Sequence, residues 1–391
     1  MKQMLSQKSF RFGESVIREM SRLNRIHGGV NLSQGFPDFG CPDFLKEAAI
    51  EAIREEYNQY AITWGAKSFR DALVTKYKNH NNMTVDAETD ITVCCGATEA
   101  MISAFLAIIN PGDEVIIFEP YYENYGPDAI LTDATPRFIK LNPPDWTFDE
   151  KEVAAAFNDK TKAIIINTPN NPTGRVFTHE ELTFLGDLCQ KWNVLAVTDE
   201  PYEYMVFDGR KHISVASLDG MAERTITISA FSKTYAVTGW RLGYAIAPPK
   251  ITDAIRKMHD FLTVGAPHPL QEAVARVLPK SEEYLKKIPG EYQERRDVFM
   301  KGLAEAEMEP LNTPEGAYYV MVDIGKYGFD NDTEFARWMV QEIGVATVPG
   351  SSFYMNPEDG HHLVRFCFPK KLETLHEGTK RLKKLREYVK K

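Results

Sequence analysis

The chain has 391 residues, of which 43% are hydrophobic and 26% are charged, and its formal net charge at pH 7 is −9. This length fits one large domain with a smaller one, and the acidic balance argues against nucleic acid or an anionic membrane surface as the main partner. The five cysteines lack metal-ligand spacing, and no apolar leader or membrane-length apolar run is present. We therefore expect a cytoplasmic protein with no metal site and no membrane partner.

The predicted elements begin after an irregular segment of about 40 residues. Helices are expected over 45–57 and 67–78, and strands then alternate with helices. The predicted strands are 91–94, 114–118, 137–141, 163–167, 194–198, 225–229 and 242–247. The predicted helices between them are 98–109, 122–131 and 180–190, the last with a Thr178–Glu181 capping box. Short apolar strands separated by helices predict an α/β fold with a mainly parallel sheet covered by helices on both faces.

The pattern changes past about residue 280. A long charged helix over 281–305 precedes strands at 317–322, 345–348 and 362–368 and helices at 333–342 and 372–390. This region predicts a smaller α+β domain. We therefore divide the chain into an N-terminal arm that joins the small domain (1–45), a large ligand-binding domain (46–280) and a small C-terminal domain (281–391).

Lys233 follows a β-branched run in the stretch 225–244, TITISAFSKTYAVTGWRLGY. A lysine at a strand-to-loop turn is most often a solvated side chain. A lysine that is partly shielded and lies near a second cation, such as Arg241, can instead lose its proton and become a nucleophilic amine. The chemistry expected of such an amine is an imine bond to an aldehyde cofactor.

Polar residues follow three other predicted strands, and open α/β sheets bind ligands beyond the carboxyl ends of their strands. Gly96-Ala97-Thr98 forms a small-residue turn into a helix, which suits a phosphate but is also an ordinary helix start. Asp199 ends an apolar strand and should be desolvated unless a cation, such as a protonated pyridine nitrogen, meets it. Asn171 lies in a stretch that is also typical of a plain β-turn.

Two further residues are candidates for substrate binding. Arg365 lies within a predicted apolar strand, where it either forms a structural ion pair or binds a substrate α-carboxylate through both ends of its guanidinium. Gly35 precedes Phe36-Pro37. It either makes a turn or lets a ligand approach the backbone closely.

Together these motifs resemble those of class I aminotransferases of fold type I, which bind pyridoxal 5'-phosphate. The resemblance extends from about residue 31 to residue 368 and is nearest to the kynurenine aminotransferase/glutamine transaminase K branch and its prokaryotic relatives. It is carried by QGFPDF (34–39), NTPNNP (167–172) and RFCF (365–368). The resemblance implies a seven-stranded-type sheet between helices, and a homodimer with shared active sites.

The resemblance also implies contacts to the cofactor ring. Lys233 would hold the cofactor, and Asp199 would meet its ring nitrogen. Asn171 and Tyr202 would contact its phenolic oxygen, and Tyr122 would stack on the ring.

A second group of residues is expected at the cofactor phosphate. Its members are Gly96, Ala97, Thr98, Ser232 and Arg241, with Tyr60 reaching in from the partner subunit. Many relatives carry a serine three residues before the lysine, where this chain has Ala230. Either Ser229 or Ser232 substitutes for it, or the phosphate has one donor fewer.

The function implied is transamination between an L-amino acid and a 2-oxo acid, with Gly35, Asn171 and Arg365 binding the substrate and Lys233, Asp199 and Tyr202 taking part in catalysis. Apolar residues expected near the substrate favour large neutral or aromatic amino acids; they are Ile17, Phe36, Tyr60, Tyr125 and Phe353. An aspartate/2-oxoglutarate aminotransferase and a cysteine-conjugate β-lyase remain alternatives on the same scaffold. An NAD(P)-dependent oxidoreductase would need Gly-x-Gly-x-x-Gly after its first strand, and none is found. A non-catalytic cofactor sensor usually adds a basic helical extension, which this sequence lacks.

Overall fold

The computed structural model describes residues 4–388. The α-helices are α1 (Val16–His27), α2 (Asp43–Arg54), α3 (Lys67–His80), α4 (Ala97–Ile108), α5 (Tyr125–Leu131), α6 (Glu150–Ala156), α7 (His179–Trp192), α8 (Phe231–Thr234), α9 (Pro249–Thr263), α10 (His268–Val277), α11 (Glu282–Glu305), α12 (Asp332–Trp338) and α13 (Leu372–Leu382). The strands are β1 (Val30–Asn31), β2 (Ile91–Cys94), β3 (Glu114–Glu119), β4 (Thr135–Lys140), β5 (Thr161–Asn167), β6 (Leu195–Asp199), β7 (Thr225–Ala230), β8 (Gly243–Ile246), β9 (Glu309–Pro310), β10 (Tyr319–Asp323), β11 (Val345–Ala346), β12 (Val348–Pro349) and β13 (Leu363–Cys367). None of the helices formed by residues 4–388 has the length and apolar content needed to cross a bilayer.

A seven-stranded sheet in the order β2-β8-β7-β6-β5-β3-β4 forms the centre of the fold. Neighbouring strands from β7 to β4 are parallel, whereas β8 is antiparallel to both β7 and β2. The predicted mainly parallel sheet between helices is therefore confirmed. Because β2 and β7 both oppose β8, the carboxyl ends of β2, β5, β6 and β7 lie at one edge of the sheet.

Both faces of this sheet are buried, which explains why its strands lack clean alternation of polar and apolar residues. Ile116 and Ile164 belong to the hydrophobic core on one face, with Leu182 and Leu185 of α7. Ile117 and Ile165 belong to the core on the opposite face, which α4 and α9 help to cover.

The C-terminal part of the chain forms a second sheet, which is antiparallel and ordered β12-β13-β10-β9. The N-terminal segment joins this region because β1 pairs in parallel with β11. Helix α11, the longest of the described helices, packs against α13.

The prediction of an irregular segment over the first 40 residues is wrong, because 16–27 form α1. Its buried residues are Ile17, Met20 and Asn24, and the helix contacts β11 and β12. Its apolar residues at 16, 17, 20 and 23 recur at helical spacing, so the sequence does carry the signal of this helix. Helices α9 and α10 were also not predicted.

Several predicted boundaries also need correction. Helix α5 begins at Tyr125 rather than 122. The predicted strand 345–348 divides into β11 and β12, which belong to different sheets, since β11 pairs with β1 and β12 pairs with β13. The Thr347 hydroxyl between them donates a hydrogen bond to the Arg365 carbonyl at 2.7 Å. Helix α12 ends at Trp338, and a π-helical turn continues to Ile343. Helix α13 ends at Leu382, and the last two residues of the predicted range, 389–390, lie outside the described residues.

Candidate active site

A cavity of about 130 Å³ lies at the carboxyl edge of the seven-stranded sheet. It is lined by residues that follow four different strands, and by helices α4 and α5. The sequence-predicted residues that line it are Ala97, Thr98, Tyr122, Asn171, Asp199, Tyr202, Ser232, Lys233 and Arg241. The fold therefore brings together side chains that are separated by up to 144 positions in the chain.

Lys233 lies within the single turn α8, directly after β7. Its side chain is partly buried, and its Nζ donates to the Gly35 carbonyl at 3.4 Å. Burial lowers the pKa of Lys233 to about 8, and the positive charge of Arg241 adds to this effect while Asp199 opposes it. An appreciable fraction of this amine is therefore unprotonated near neutral pH.

Asp199 is the last residue of β6 and is only 8% exposed. Its Oδ2 accepts a hydrogen bond from the Tyr125 hydroxyl at 2.7 Å, whereas its Oδ1 has no hydrogen-bond partner among residues 4–388. Burial raises the pKa of Asp199 to about 6, although the Tyr125 hydrogen bond and the charge of Lys233 both favour ionisation. A cationic hydrogen-bond donor, such as a protonated ring nitrogen, is what this carboxylate lacks.

The turn between β2 and α4 is shaped by a close approach of Arg241. Gly96 has φ +85°, and a Cβ built there would collide with the Arg241 guanidinium. Arg241 Nη1 donates to the Thr238 carbonyl at 3.0 Å and Nη2 to the Cys95 carbonyl at 3.4 Å. Glu99 accepts a hydrogen bond from the Cys95 amide at 2.9 Å, which holds the turn. The start of α4 and a guanidinium together make a setting suited to a phosphate.

The two serines considered in place of Ala230 have different surroundings. Ser229 is 1% exposed, and its hydroxyl donates to the Glu200 carbonyl at 3.2 Å, away from the cavity. Ser232 lines the cavity beside Lys233 and Arg241. Of the two, only Ser232 is placed to donate a hydrogen bond into the cavity.

Arg365 is completely buried in β13. Its Nη1 donates to Asn171 Oδ1 and its Nη2 to the Ser33 carbonyl, both at 2.8 Å, while Nε has no partner among the described residues. The guanidinium carbon lies 4.4 Å from the ring centre of Tyr319 and 4.8 Å from that of Phe353. No carboxylate within residues 4–388 forms an ion pair with it, so the structural ion pair considered from the sequence is absent in this part of the chain.

Gly35 has no room for a side chain. A Cβ there would collide with the Tyr319 hydroxyl, and the Gly35 carbonyl accepts hydrogen bonds from Lys233 and from the Tyr318 hydroxyl at 2.9 Å. The Tyr319 hydroxyl in turn lies 3.0 Å from that of Tyr202. Gly35 thus connects the lysine to the arginine region through its backbone.

Sequence reasoning missed two polar residues near Asp199 and expected a different contact for a third. Asn167 at the end of β5 donates to the Asp199 carbonyl and accepts from the Asn171 amide, each at 2.8 Å. Asp128 is buried, and burial together with the charge of Asp199 raises its pKa to about 8. Tyr125, expected among the apolar substrate contacts, instead binds Asp199. Asn167 could have been found, because it ends an apolar strand in the same way as Asp199.

Tyr60 does not join the site within this chain, because its side chain is 84% exposed. Tyr122 does join it, edge-on to Tyr125 with the ring centres 5.8 Å apart.

Residues 27–382 match the model of the family described as aminotransferase class I and II. A methionine aminotransferase of Escherichia coli K12 is 37% identical over 373 residues, which cover 95% of this chain and 96% of the relative. A kynurenine–oxoglutarate transaminase of Dictyostelium discoideum is 36% identical, with 98% and 96% covered. The crystal structure of a methionine aminotransferase from Escherichia coli superimposes with a TM-score of 0.94 at 36% identity, covering 98% of this chain and 100% of that one.

The raised pKa of Asp199 leads to a prediction for the protein without any bound ligand. Because the pKa of Asp199 is raised to about 6 in the folded state, its neutral form stabilises the fold at low pH, and this contribution is lost as the pH rises through 6. Asp199→Asn should therefore raise the free energy of unfolding at pH 8 by roughly 2 kcal/mol. The gain should shrink toward pH 4.5.

Denaturant unfolding at both pH values measures this difference. The exposed Asp187 of α7 provides the control. Asp187→Asn should give no comparable gain at pH 8. An Asp199→Asn protein that is less stable than wild type at pH 8 would contradict the prediction.

Proposed function

The chain belongs to the aminotransferase class I and II family, and we propose that it transfers an amino group between a large neutral or aromatic L-amino acid and a 2-oxo acid. Members of this family use pyridoxal 5'-phosphate, and the chain is a pyridoxal-phosphate-dependent aminotransferase. The observation that carries the assignment of an amino-acid substrate is the buried guanidinium of Arg365, which forms no ion pair among the described residues and so can take an α-carboxylate.

The residues present fit this cofactor. The orphaned Asp199 Oδ1 matches a protonated ring nitrogen, and the Gly96 turn with Arg241 and Ser232 suits a phosphate. When bound, the cofactor supplies an aldehyde that bonds to amines and a protonated ring that withdraws electrons from the substrate α-carbon. Lys233 would hold the aldehyde end.

Lys233 has the pKa needed for two tasks. With a pKa lowered to about 8, its Nζ can lose a proton and act as a nucleophile at neutral pH. The same amine, once released by the incoming amino acid, would act as a base and take the proton from the substrate Cα. It would then act as an acid and deliver that proton to the former aldehyde carbon of the cofactor. Its Nζ contacts the Gly35 carbonyl at 3.4 Å.

Asp199 and Tyr202 support this chemistry from the cofactor side. The negative charge of Asp199 favours the protonated ring nitrogen, and the Tyr125 hydrogen bond fixes the carboxylate orientation. The resemblance assigns Tyr202 and Asn171 to the phenolic oxygen, and both line the cavity. Asn167 holds Asn171 and Asp199 in register across the ends of β5 and β6.

Arg365 is assigned to the substrate α-carboxylate. Its two donating nitrogens bind neutral oxygens, and none of residues 4–388 supplies a counterion, so a substrate carboxylate would neutralise a buried positive charge. Asn171 and Gly35 complete this subsite, and the rings of Tyr319 and Phe353 line its walls.

The preference for large neutral or aromatic side chains is supported by the surroundings of the cavity. The described residues that line it include two cations, Lys233 and Arg241, and both are assigned to the cofactor, while the rings of Tyr319 and Phe353 lie beside Arg365. The relatives named for methionine and kynurenine are consistent with this preference. Aspartate/2-oxoglutarate transamination and β-elimination from cysteine conjugates remain the alternatives that the same groups could serve.

We also propose a cytoplasmic homodimer in which Tyr60 reaches the phosphate of the partner subunit. Tyr60 is 84% exposed. The apolar side chains of Phe261, which is 92% exposed, Ile62 and Val264 are also exposed.

The division into segments 1–45, 46–280 and 281–391 is supported by the sheets. The seven-stranded sheet lies wholly in the second segment, and β1 of the first pairs with β11 of the third.

Amino-donor profiling tests the proposed substrate class. With pyruvate and 2-oxoglutarate as acceptors, kcat/KM for methionine, phenylalanine or kynurenine should exceed that for aspartate. Preferred turnover of aspartate would contradict the apolar substrate site. Pyruvate and ammonia from a cysteine conjugate, with no amino-group exchange, would favour the lyase.

Arg365→Lys should lower kcat/KM for every amino donor by about 10- to 100-fold, because lysine cannot offer two parallel hydrogen bonds to a carboxylate. Cofactor affinity should stay unchanged. Arg337→Lys, at an exposed ion pair with Glu19, is the matched control and should leave kcat/KM as it is. Equal kcat/KM values for both variants would contradict the assignment of Arg365 to the substrate site.

Gly96→Ala should weaken retention of pyridoxal phosphate by about tenfold or more. The new Cβ would displace the Arg241 guanidinium, and φ +85° strains any side chain. Gly239, which has open space around its Cα, is the control. Dialysis followed by absorbance of the bound cofactor measures the difference, and equal retention by Gly96→Ala and Gly239→Ala would contradict the assignment.

A further inference from the structure

Tyr319 is the first residue of β10 in the antiparallel sheet, yet its side chain lines the cavity at Lys233. The residue is 3% exposed. It pairs with Cys367 of β13, two residues beyond Arg365, so the side chains of Tyr319 and Arg365 lie diagonally on one face of neighbouring strands. The Arg365 guanidinium carbon accordingly lies 4.4 Å from the centre of the Tyr319 ring.

The other end of the Tyr319 side chain reaches a residue that follows the seven-stranded sheet. Its hydroxyl lies 3.0 Å from the hydroxyl of Tyr202, which comes after β6, and the two rings meet edge-on with their centres 5.8 Å apart. Gly35 leaves the space for this ring, because a Cβ at Gly35 would collide with it. One side chain therefore contacts both the arginine assigned to the substrate carboxylate and a tyrosine assigned to the cofactor.

The direction of the hydrogen bond between the two hydroxyls depends on what Tyr202 binds. A tyrosine hydroxyl has one proton to donate and lone pairs that accept. When Tyr202 donates its proton to the phenolic oxygen of the cofactor, the 3.0 Å contact needs a proton from Tyr319. A hydroxyl that accepts one hydrogen bond also donates a stronger one.

We propose that Tyr319 is a positioning residue that donates a hydrogen bond to Tyr202 and so directs the Tyr202 proton to the phenolic oxygen of the cofactor. Its ring also holds the Arg365 guanidinium in place for the substrate carboxylate. This role rests on the proposed aminotransferase function and extends it to a residue that the sequence motifs did not assign. The hydroxyl acts on the cofactor side and the ring on the substrate side, so substitutions can separate the two effects.

Tyr319→Phe removes the hydroxyl and keeps the ring. A hydrogen bond donated to an oxygen favours the anionic form of that oxygen, so a weaker contact from Tyr202 lets the phenolic oxygen keep a proton to a higher pH. The pH midpoint of the absorbance change of the bound cofactor should therefore rise by roughly 0.3–1 unit. Pyridoxal phosphate should also leave the dialysed holoenzyme about 2- to 10-fold faster.

A double variant shows whether the hydroxyl acts through Tyr202. The shift of the pH midpoint that Tyr319→Phe causes should vanish in the Tyr202→Phe background, because the partner hydroxyl is already gone. Tyr327→Phe is the matched control. Tyr327 is 3% exposed and lies outside the cavity lining, and its hydroxyl has no partner among the described residues. This control should leave the midpoint and cofactor retention unchanged.

The ring is tested with 3-phenylpropionate, a carboxylate that has no amino group to transfer. Calorimetric titration of the holoenzyme gives its Kd. Tyr319→Leu should raise this Kd by about 3- to 10-fold, because Arg365 loses its cation–π contact. Tyr319→Phe should leave it at the wild-type value.

Three results would overturn the proposal. A pH midpoint in Tyr319→Phe equal to that of a wild-type enzyme that transaminates would show that Tyr202 needs no donor. A shift of the same size in the Tyr202→Phe background would show that the hydroxyl acts by another route. Equal weakening of 3-phenylpropionate in Tyr319→Phe and Tyr319→Leu would contradict the role of the ring. A wild-type enzyme that retains no pyridoxal phosphate, or transfers no amino group, would instead contradict the proposed function and the role of Tyr319 with it.

Discussion

Burial at one edge of a parallel sheet acts in opposite directions on the two charged residues that define the site. It raises the pKa of Asp199 to about 6 and lowers that of Lys233 to about 8. Each group is therefore moved toward neutrality at physiological pH, which is unfavourable for a structural ion pair but useful for chemistry. A ligand that brings a ring cation to Asp199 and an aldehyde to Lys233 relieves both conditions at once. The rest of the site holds these two side chains apart and gives each a single directed contact.

The topology of the sheet makes this arrangement possible. Strands β5, β6 and β7 are parallel neighbours, so Asn167, Asp199 and the turn with Lys233 occur side by side without any long loop. Strand β2 has the same direction because β8 opposes both β2 and β7, and this adds the Gly96 turn to the same edge. Backbone carbonyls and neutral amides, rather than counterions, bind Lys233 and Arg365. Both cations therefore remain available to a ligand.

Much of this organisation could be predicted from the sequence. The strands of the large sheet were recognised because each is a short apolar run that ends at a polar or small residue, as at Asn167, Asp199 and Ala230. The candidate cofactor residues were predicted from motifs, and the structure places all of them except Tyr60 around one cavity or against it.

The failures differ in kind. Helix α1 could have been predicted, because its apolar residues recur at helical spacing; only its contacts with β11 and β12, which lie more than 300 residues away in the chain, could not. The choice between Ser229 and Ser232 depends on which face of β7 and α8 each residue occupies, and spacing does not reveal this. Tyr125 was expected among the substrate contacts because its ring is apolar, but its hydroxyl donates a hydrogen bond to the buried carboxylate of Asp199.

The central claim is that Lys233, through its lowered pKa, is the residue that bonds the cofactor. Borohydride reduction of the purified, pyridoxal-phosphate-loaded enzyme makes such a bond permanent, and mass spectrometry of the digested protein then locates it. The account predicts one pyridoxyl-modified residue per chain, at Lys233, and none in Lys233→Ala. Modification of another lysine in the wild-type enzyme, with Lys233 unmodified, would contradict it.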